Sequence, residues 1–211
     1  MSDLGARPGA RNPGGAIAHS EARVTLARMR RDLPLAYPGM KIGLFGGSFD
    51  PAHEGHSHVA ETALKRLGLD RVWWLVSPQN PLKPKSSAFA KRMKSAEAQA
   101  RGPRMVVTDI EKQLGCAFTY ETLRALKRLY PGVQFYLVMG ADNLAHFRKW
   151  RNWREVACAV PVAVISRPGA GAAERLNAPN HWIFINARHH RDSSTALRRR
   201  KRPAVAKPKR K

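Results

Sequence analysis

The sequence predicts an α/β protein: a Rossmann-like, doubly wound, mainly parallel sheet with helices on both faces. Three observations carry this prediction. Short apolar runs alternate regularly with helical stripes from Met40 onward. Within those runs apolar residues do not alternate with polar ones, which is the pattern of strands covered on both faces. A glycine turn follows the first run, the place where doubly wound sheets hold their ligands.

Residues 1–39 are rich in Gly, Pro, Ala and Arg and read as a mobile N-terminal extension, with a short helix near Ala16–Arg31 between Pro13 and Pro34. The domain proper spans 40–198, and 199–211 read as a basic disordered tail. Lys41–Phe45 is the first strand. Val59, Ala60, Ala63, Leu64 and Leu67 then recur at helical spacing, and Gly68 closes that helix. Arg71–Val76 is a second strand, stopped by Ser77 and Pro78 ahead of a Pro/Lys/Ser-rich loop over 79–87. Ala90–Ala100 reads as a helix, Arg104–Thr108 as a third strand and Tyr120–Leu129 as a helix closed by Tyr130, Pro131 and Gly132. Val133–Met139 is the clearest buried strand and runs straight into Gly140 and Asp142. Helices near Leu144–Phe147 and Trp153–Ala157 precede strands at Val160–Ile165 and Trp182–Asn186. The pattern contains no repeat at a solenoid period and does not give the strand order.

At 211 residues the chain suits one large domain with tails. No apolar run approaches the roughly 20 residues of a membrane helix, so no membrane partner is expected. The N-terminus lacks the apolar core of a signal peptide. Cys116 and Cys158 form neither a disulfide framework nor a CxxC metal site, and the expectation is reduced, buried thiols in a cytoplasmic protein. The net charge is +23; residues 196–211 hold nine Lys/Arg and no acid, and residues 40–195 hold 23 bases against 12 acids. Such a tail implies weak non-specific polyanion binding. The basic body suits anionic substrates and nucleic acid alike. Aromatics do not interleave with the tail as stacking platforms for single strands would.

Chemistry concentrates in GGSFDPAHEGH, residues 46–56. A glycine turn, a helix start and two histidines three apart, His53 and His56, gather N–H groups and a positive helix end around one point, which suits a polyphosphate. The segment is not a Walker loop, and Gly43, Gly46 and Gly47 have the wrong spacing for a dinucleotide fingerprint. HEGH is one residue short of the zincin pattern, leaving a metal site with His58 as the lesser alternative. Asn80 offers an amide and Lys83 a cation for a substrate phosphate, although a Pro-rich surface loop is the plainer reading of 77–83. Thr119 suits a helix cap. Asp142, past a strand end beside Gly140, suits a ribose diol. Phe147 and Trp153 read as core. Ser194 and Thr195 at a helix start, with Arg198 one turn on, suit phosphate oxygens.

The pattern GGSFDPxHxGH resembles the signature of the HIGH-type nucleotidyltransferase superfamily and, more narrowly, of bacterial nicotinate-nucleotide adenylyltransferases. Related pantetheine-phosphate adenylyltransferases typically carry Thr at the position of His53. SPQNPLK (77–83) is similar to that family's loop after the second strand. FTYETL (118–123) resembles its Tyr-Thr-x-Asp-Thr-Leu, with Phe118 for Tyr and Glu121 for Asp. MGADNLAHFRKWRNW (139–153) matches closely, and RDSSTALR (191–198) resembles Ile-Ser-Ser-Thr-x-Ile-Arg, with Asp192 in the apolar place. The resemblance covers about residues 40–198.

It implies transfer of AMP from ATP to nicotinate mononucleotide, with Mg²⁺ bound to the nucleotide rather than to a carboxylate cage. His53, His56 and Arg198 would be catalytic. Gly46, Gly47, Ser48, Phe49, Gly140, Asp142, Ser194, Thr195 and Arg198 would bind ATP. Asn80, Lys83, Thr119 and Trp150 would bind nicotinate mononucleotide, Thr119 through its main chain to the pyridine carboxylate and Trp150 by stacking. The alternatives are another nucleotidyltransferase of the superfamily and a non-enzymatic nucleic-acid-binding protein. The sequence leaves open a homo-oligomer and the preference for acid over amide substrate.

Overall fold

The computed structural model describes residues 33–78, 86–166 and 182–187. The chain divides into Met1–Leu33 and Pro34–Lys211, and the sheet and its helices belong to the second unit. The helix expected near Ala16–Arg31, the 79–85 segment with Asn80 and Lys83, and the C-terminal segment with Ser194, Thr195 and Arg198 lie outside the described residues.

The strands are β1 (Lys41–Gly47), β2 (Arg71–Val76), β3 (Met105–Thr108), β4 (Gln134–Gly140), β5 (Val162–Ser166) and β6 (Ile183–Asn186). The helices are α1 (Glu54–Arg66), α2 (Phe89–Gln99), α3 (Ile110–Gln113), α4 (Thr119–Leu129), α5 (Ala141–Phe147) and α6 (Trp153–Ala159). All predicted elements within the described residues are present. The four-residue α3 was not predicted; it is too short to show a helical period.

The six strands form one sheet in the order β3-β2-β1-β4-β5-β6, and every pairing is parallel. The direction of winding reverses between β1 and β4, whose register places Phe45 opposite Val138. In such sheets the crevice for a ligand opens at the carboxyl ends of the two strands flanking the reversal. Those ends are Gly46–Gly47 and Gly140.

Successive side chains of a strand point to opposite faces. Trp73 and Trp74 are adjacent and both fully buried, so both faces of β2 are covered. On one face Trp73 meets Tyr130 and Phe135 edge-on at 5.2 and 5.9 Å. On the other, Trp74 meets Phe45 and Phe49 at 5.2 and 5.1 Å. Helix α1 packs on β4 and β5, and α2 packs on β2 and β3. A Cβ at Gly43 would fall 2.7 Å from Leu69 Cδ1, so a larger residue there would have to displace the Leu69 side chain.

Residues 34–39 run along the edge of the domain. The Tyr130 hydroxyl donates to the Pro34 carbonyl at 2.8 Å, and Gly39 N–H donates to Gly132 O at 2.8 Å. Both cysteines are free, but Cys116 is half-buried and Cys158 is exposed on α6, which corrects the expectation that both are buried. Position 158 falls on the outward side of that helix, next to the buried Ala157. No helix among the described residues is long and apolar enough to cross a membrane.

Candidate active site

The turn between β1 and α1 builds one wall of the crevice. His53 is extended and caps α1, its Nδ1 accepting from Gly55 N–H at 3.1 Å. His56 Nδ1 in turn accepts from His53 N–H at 3.2 Å. Two histidines thus perform the reciprocal cap that Ser and Glu form in other helices. Their ring centroids lie 3.9 Å apart. A nitrogen that accepts carries no proton, so each neutral ring bears its proton on Nε2.

Phe49 anchors this turn. It adopts a left-handed backbone (φ 47°), which a residue with a Cβ rarely accepts without compensation. Compensation comes from its ring, buried against Phe45, Trp74 and His56 at 5.5, 5.1 and 5.2 Å. The ring also lies over Gly47, where a Cβ would sit 3.1 Å from it. Gly46 is exposed, and a Cβ there would meet nothing within 4 Å. The two glycines therefore differ: Gly47 makes room for protein, whereas Gly46 faces open space. Across the switch point, Gly140 ends β4 and Asp142 stands exposed in the first turn of α5, its Oδ1 3.3 Å from where a Gly140 Cβ would be.

A second region lies beyond β2, where α4 begins. Phe118 is the N-cap and Thr119 the first helical residue, which corrects the expectation that Thr119 caps. Glu121 takes that role, accepting from the N–H groups of Ala117 and Phe118 at 3.0 and 3.2 Å. The Tyr120 hydroxyl first, then these amides, hold its carboxyl below the ordinary glutamate range. The Arg151 guanidinium lies 4.9 Å over the Phe118 ring, bringing the 148–152 loop to the helix start. Trp150 is half-buried and lies 5.2 Å from Phe147. Phe147 is core, as expected; Trp153 is half-buried, with Arg148 and Arg154 at 5.8 and 4.8 Å from its ring.

These are the surroundings in which the comparisons with known proteins fall. Residues 44–200 match the cytidylyltransferase-like family. A Roseobacter denitrificans protein named "Probable nicotinate-nucleotide adenylyltransferase" is 51% identical over 177 residues, covering 83% of this chain and 88% of its own. A Cereibacter sphaeroides protein of the same name is 56% identical over 139 residues, 65% of this chain and 74% of its own. The chain belongs to the cytidylyltransferase-like family, on its nicotinate-nucleotide adenylyltransferase branch. The fold is shared with the Plasmodium falciparum nicotinic acid mononucleotide adenylyltransferase complexed with NaAD, at a TM-score of 0.62 and 18% identity over 76% of this chain and 83% of that one.

Within this nucleotidyltransferase the fold brings Gly46, Gly47, Ser48, Phe49, His53, His56, Gly140 and Asp142 to the carboxyl ends of the two central strands. Thr119 and Trp150 belong to the second region. Two buried residues were missed by sequence reasoning. Arg92, on α2, is 3% exposed and donates to the carbonyls of Ser48, Ser77, Pro78 and Ser87. Burial lowers its pKa, with the Asp50 carboxylate opposing, and it stays a cation. A signal was available: Phe89, Arg92, Met93 and Ala96 share one helical stripe, and a charge on an apolar stripe marks a buried polar site.

Glu111, on the unpredicted α3, is also buried. Its Oε1 lies 3.2 Å from Thr122 Oγ1, which is also 3.3 Å from Phe118 O. Thr122 Oγ1 is the donor to Glu111 Oε1. Burial pushes the carboxyl up to about 7, against the opposing pull of the Thr122 and Ser77 hydroxyls. The family chemistry implies a divalent ion. Among the described residues no three His, Cys, Asp or Glu side chains converge on one point.

Proposed function

We infer that this chain transfers the adenylyl group of ATP to the phosphate of nicotinate mononucleotide, releasing pyrophosphate and nicotinate adenine dinucleotide. The observation that carries the reading is the paired-histidine cap at the switch point of the sheet. It combines a helix N-terminus with two imidazoles whose Nε2–H groups would donate to phosphate oxygens, and it occurs in a chain about half identical to proteins of that name.

The attacking phosphate is ionised at neutral pH, so transfer needs no strong base and no covalent enzyme intermediate. It rests on in-line positioning and on stabilising charge at the α-phosphate and leaving pyrophosphate. We assign His53, His56 and Arg198 to that stabilisation. With Nδ1 of each ring turned to the cap, the histidines would donate through Nε2, and Arg198 would supply charge. Mg²⁺ on the nucleotide would neutralise part of the triphosphate. Ser48 and Phe49 hold phosphates through their main chain beside Gly46 and Gly47, Ser194 and Thr195 add further donors, and Asp142 over Gly140 takes the ribose. Asn80 and Lys83 take the phosphate of nicotinate mononucleotide, Thr119 its carboxylate and Trp150 its ring.

The transferase domain is assigned to 40–198, with 1–39 as an extension and 199–211 as an accessory tail of weak polyanion affinity. Pyrophosphate release with ATP and Mg²⁺ tests the activity against nicotinate mononucleotide, nicotinamide mononucleotide and phosphopantetheine. The first is expected to be turned over fastest; faster turnover of phosphopantetheine would overturn the substrate. Deleting 199–211 leaves turnover unchanged; loss of transfer on deletion would make the tail part of the site.

A further inference from the structure

We propose that Arg92 is a positioning residue that fixes the ATP-phosphate turn and the pyridine-nucleotide side in one relation, so that neither half-site is set without the other. The inference rests on the assignment of those half-sites above. Its basis is the set of carbonyls that one buried guanidinium gathers. Nε donates to Ser87 O at 3.0 Å, one terminal nitrogen to Ser48 O at 3.0 Å and Ser77 O at 2.6 Å, and the other to Pro78 O at 2.7 Å.

Ser48 belongs to the phosphate turn, whereas Ser77, Pro78 and Ser87 flank residues 79–85 on both sides. Asp50, also on the phosphate turn, accepts from Ser87 N–H at 3.0 Å and closes the same circuit. Ala52 N–H donates to Ser95 Oγ at 2.8 Å, tying that turn to α2 a second time. A trans peptide is planar with its C=O and N–H opposed. Drawing Ser48 O toward Arg92 therefore aims Phe49 N–H to the opposite side, and that main-chain group is assigned to the ATP phosphates.

The planar fork reaches carbonyls on three chain segments, an arrangement that an ammonium on a flexible stem does not reproduce. Arg92→Lys keeps the charge and leaves some of those buried carbonyls without a donor.

The test compares Arg92→Lys with Phe135→Leu, a core change at the amino end of β4, away from the carboxyl ends that line the crevice. For each, the melting temperature, the Kd for ATP by calorimetry and the KM for nicotinate mononucleotide are measured. Arg92→Lys is expected to raise both constants about tenfold or more, as misplacement of a site by a fraction of an ångström does. Phe135→Leu is expected to lower the melting temperature with both constants held within about twofold. Constants near wild type in Arg92→Lys, or a change in only one of them, would overturn the proposal.

Should Arg92→Lys fail to fold, wild-type amide exchange decides. ATP alone is expected to slow exchange in peptides covering 86–95, and nicotinate mononucleotide alone in peptides covering 44–52. Protection confined to each substrate's own side would refute the coupling. A wild-type protein that does not turn over nicotinate mononucleotide would remove the substrate reading, while the ATP arms would still judge Arg92.

Discussion

Residues 46–56 hold their geometry within a single turn: His53 and His56 cap each other, and Phe49 covers Gly47. The side assigned to nicotinate mononucleotide is built from separate segments: Arg151 over Phe118 joins Arg148–Trp153 to Phe118–Glu121, and the Arg92 fork ties Ser77 and Pro78 to α2. The phosphate turn thus depends on its own residues and on one outside anchor, the contacts of Ser87, Arg92 and Ser95, and is expected to tolerate change away from both. A site assembled from distant segments depends on the packing between them, so its substrate preference responds to residues that touch no substrate.

The strongest way to break this comparison is His56→Ala. It removes an acceptor for His53 N–H, a cap contribution of about 1 kcal/mol, so the protein should still fold. Turnover is expected to fall about 10²- to 10³-fold, as when one preorganised donor is taken from a transition state. Near wild-type turnover in steady-state assays, or an unfolded circular dichroism spectrum, would count against the role given to His56.

The glycine pair sharpens the contrast within the turn. Gly47→Ala places a methyl 3.1 Å from the Phe49 ring, which Phe45 and Trp74 prevent from moving. Denaturant titration should show a loss of about 1–3 kcal/mol, the range for overpacking. Gly46→Ala meets nothing, and stability should stay within about 0.5 kcal/mol. Its methyl occupies the face assigned to ATP, so ATP affinity is expected to drop. Equal stabilities for the two variants would mean that Phe49 is not the anchor described.

The two regions also differ in how far they could be read from sequence. His53 and His56 are legible because they stand three apart at a helix start behind a glycine turn, and the apolar strands because burial on both faces removes alternation. The strand order was not readable: β1 pairs with both β2 and β4, and parallel strands carry no turn that names their neighbours. Arg92 was read as part of an ordinary helix, since its partners are main-chain carbonyls and have no sequence identity. Glu111 stands on a helix of four residues with no period to detect. Thr119 was read as a cap by residue type, whereas Glu121 reaches back to do that work.

On the pyridine side, Trp150→Leu should raise the KM for nicotinate mononucleotide about fivefold to tenfold, the equivalent of one lost aromatic stacking contact of about 1 kcal/mol. The KM for ATP should not move, because Trp150 stands on the 148–152 loop, outside both the phosphate turn and the Arg92 fork that anchors it. A parallel rise in both constants would show that the ring supports the fold of the crevice rather than one substrate.

The smallest effect concerns Glu111, which joins α3 to the start of α4 through Thr122. Its folded carboxyl is raised to about 7 by burial, whereas the unfolded chain ionises near the ordinary glutamate value of about 4.3. Between those values the native state binds more protons than the unfolded state, so stability falls as pH rises. The contribution is complete below the unfolded pKa and is lost as pH climbs through about 7. Between about pH 6 and pH 8 the loss is about 1 kcal/mol at 1.36 kcal/mol per pKa unit. Glu111→Gln keeps a neutral donor and acceptor there at every pH, so urea titrations at those two pH values should show a shallower decline and a variant more stable than wild type at the higher one. A slope unchanged by the substitution would place the titration elsewhere and leave Glu111 ionised in its pocket. The pyridine side would then be held together by charge, as the Arg92 fork holds it, and not by a neutral carboxyl.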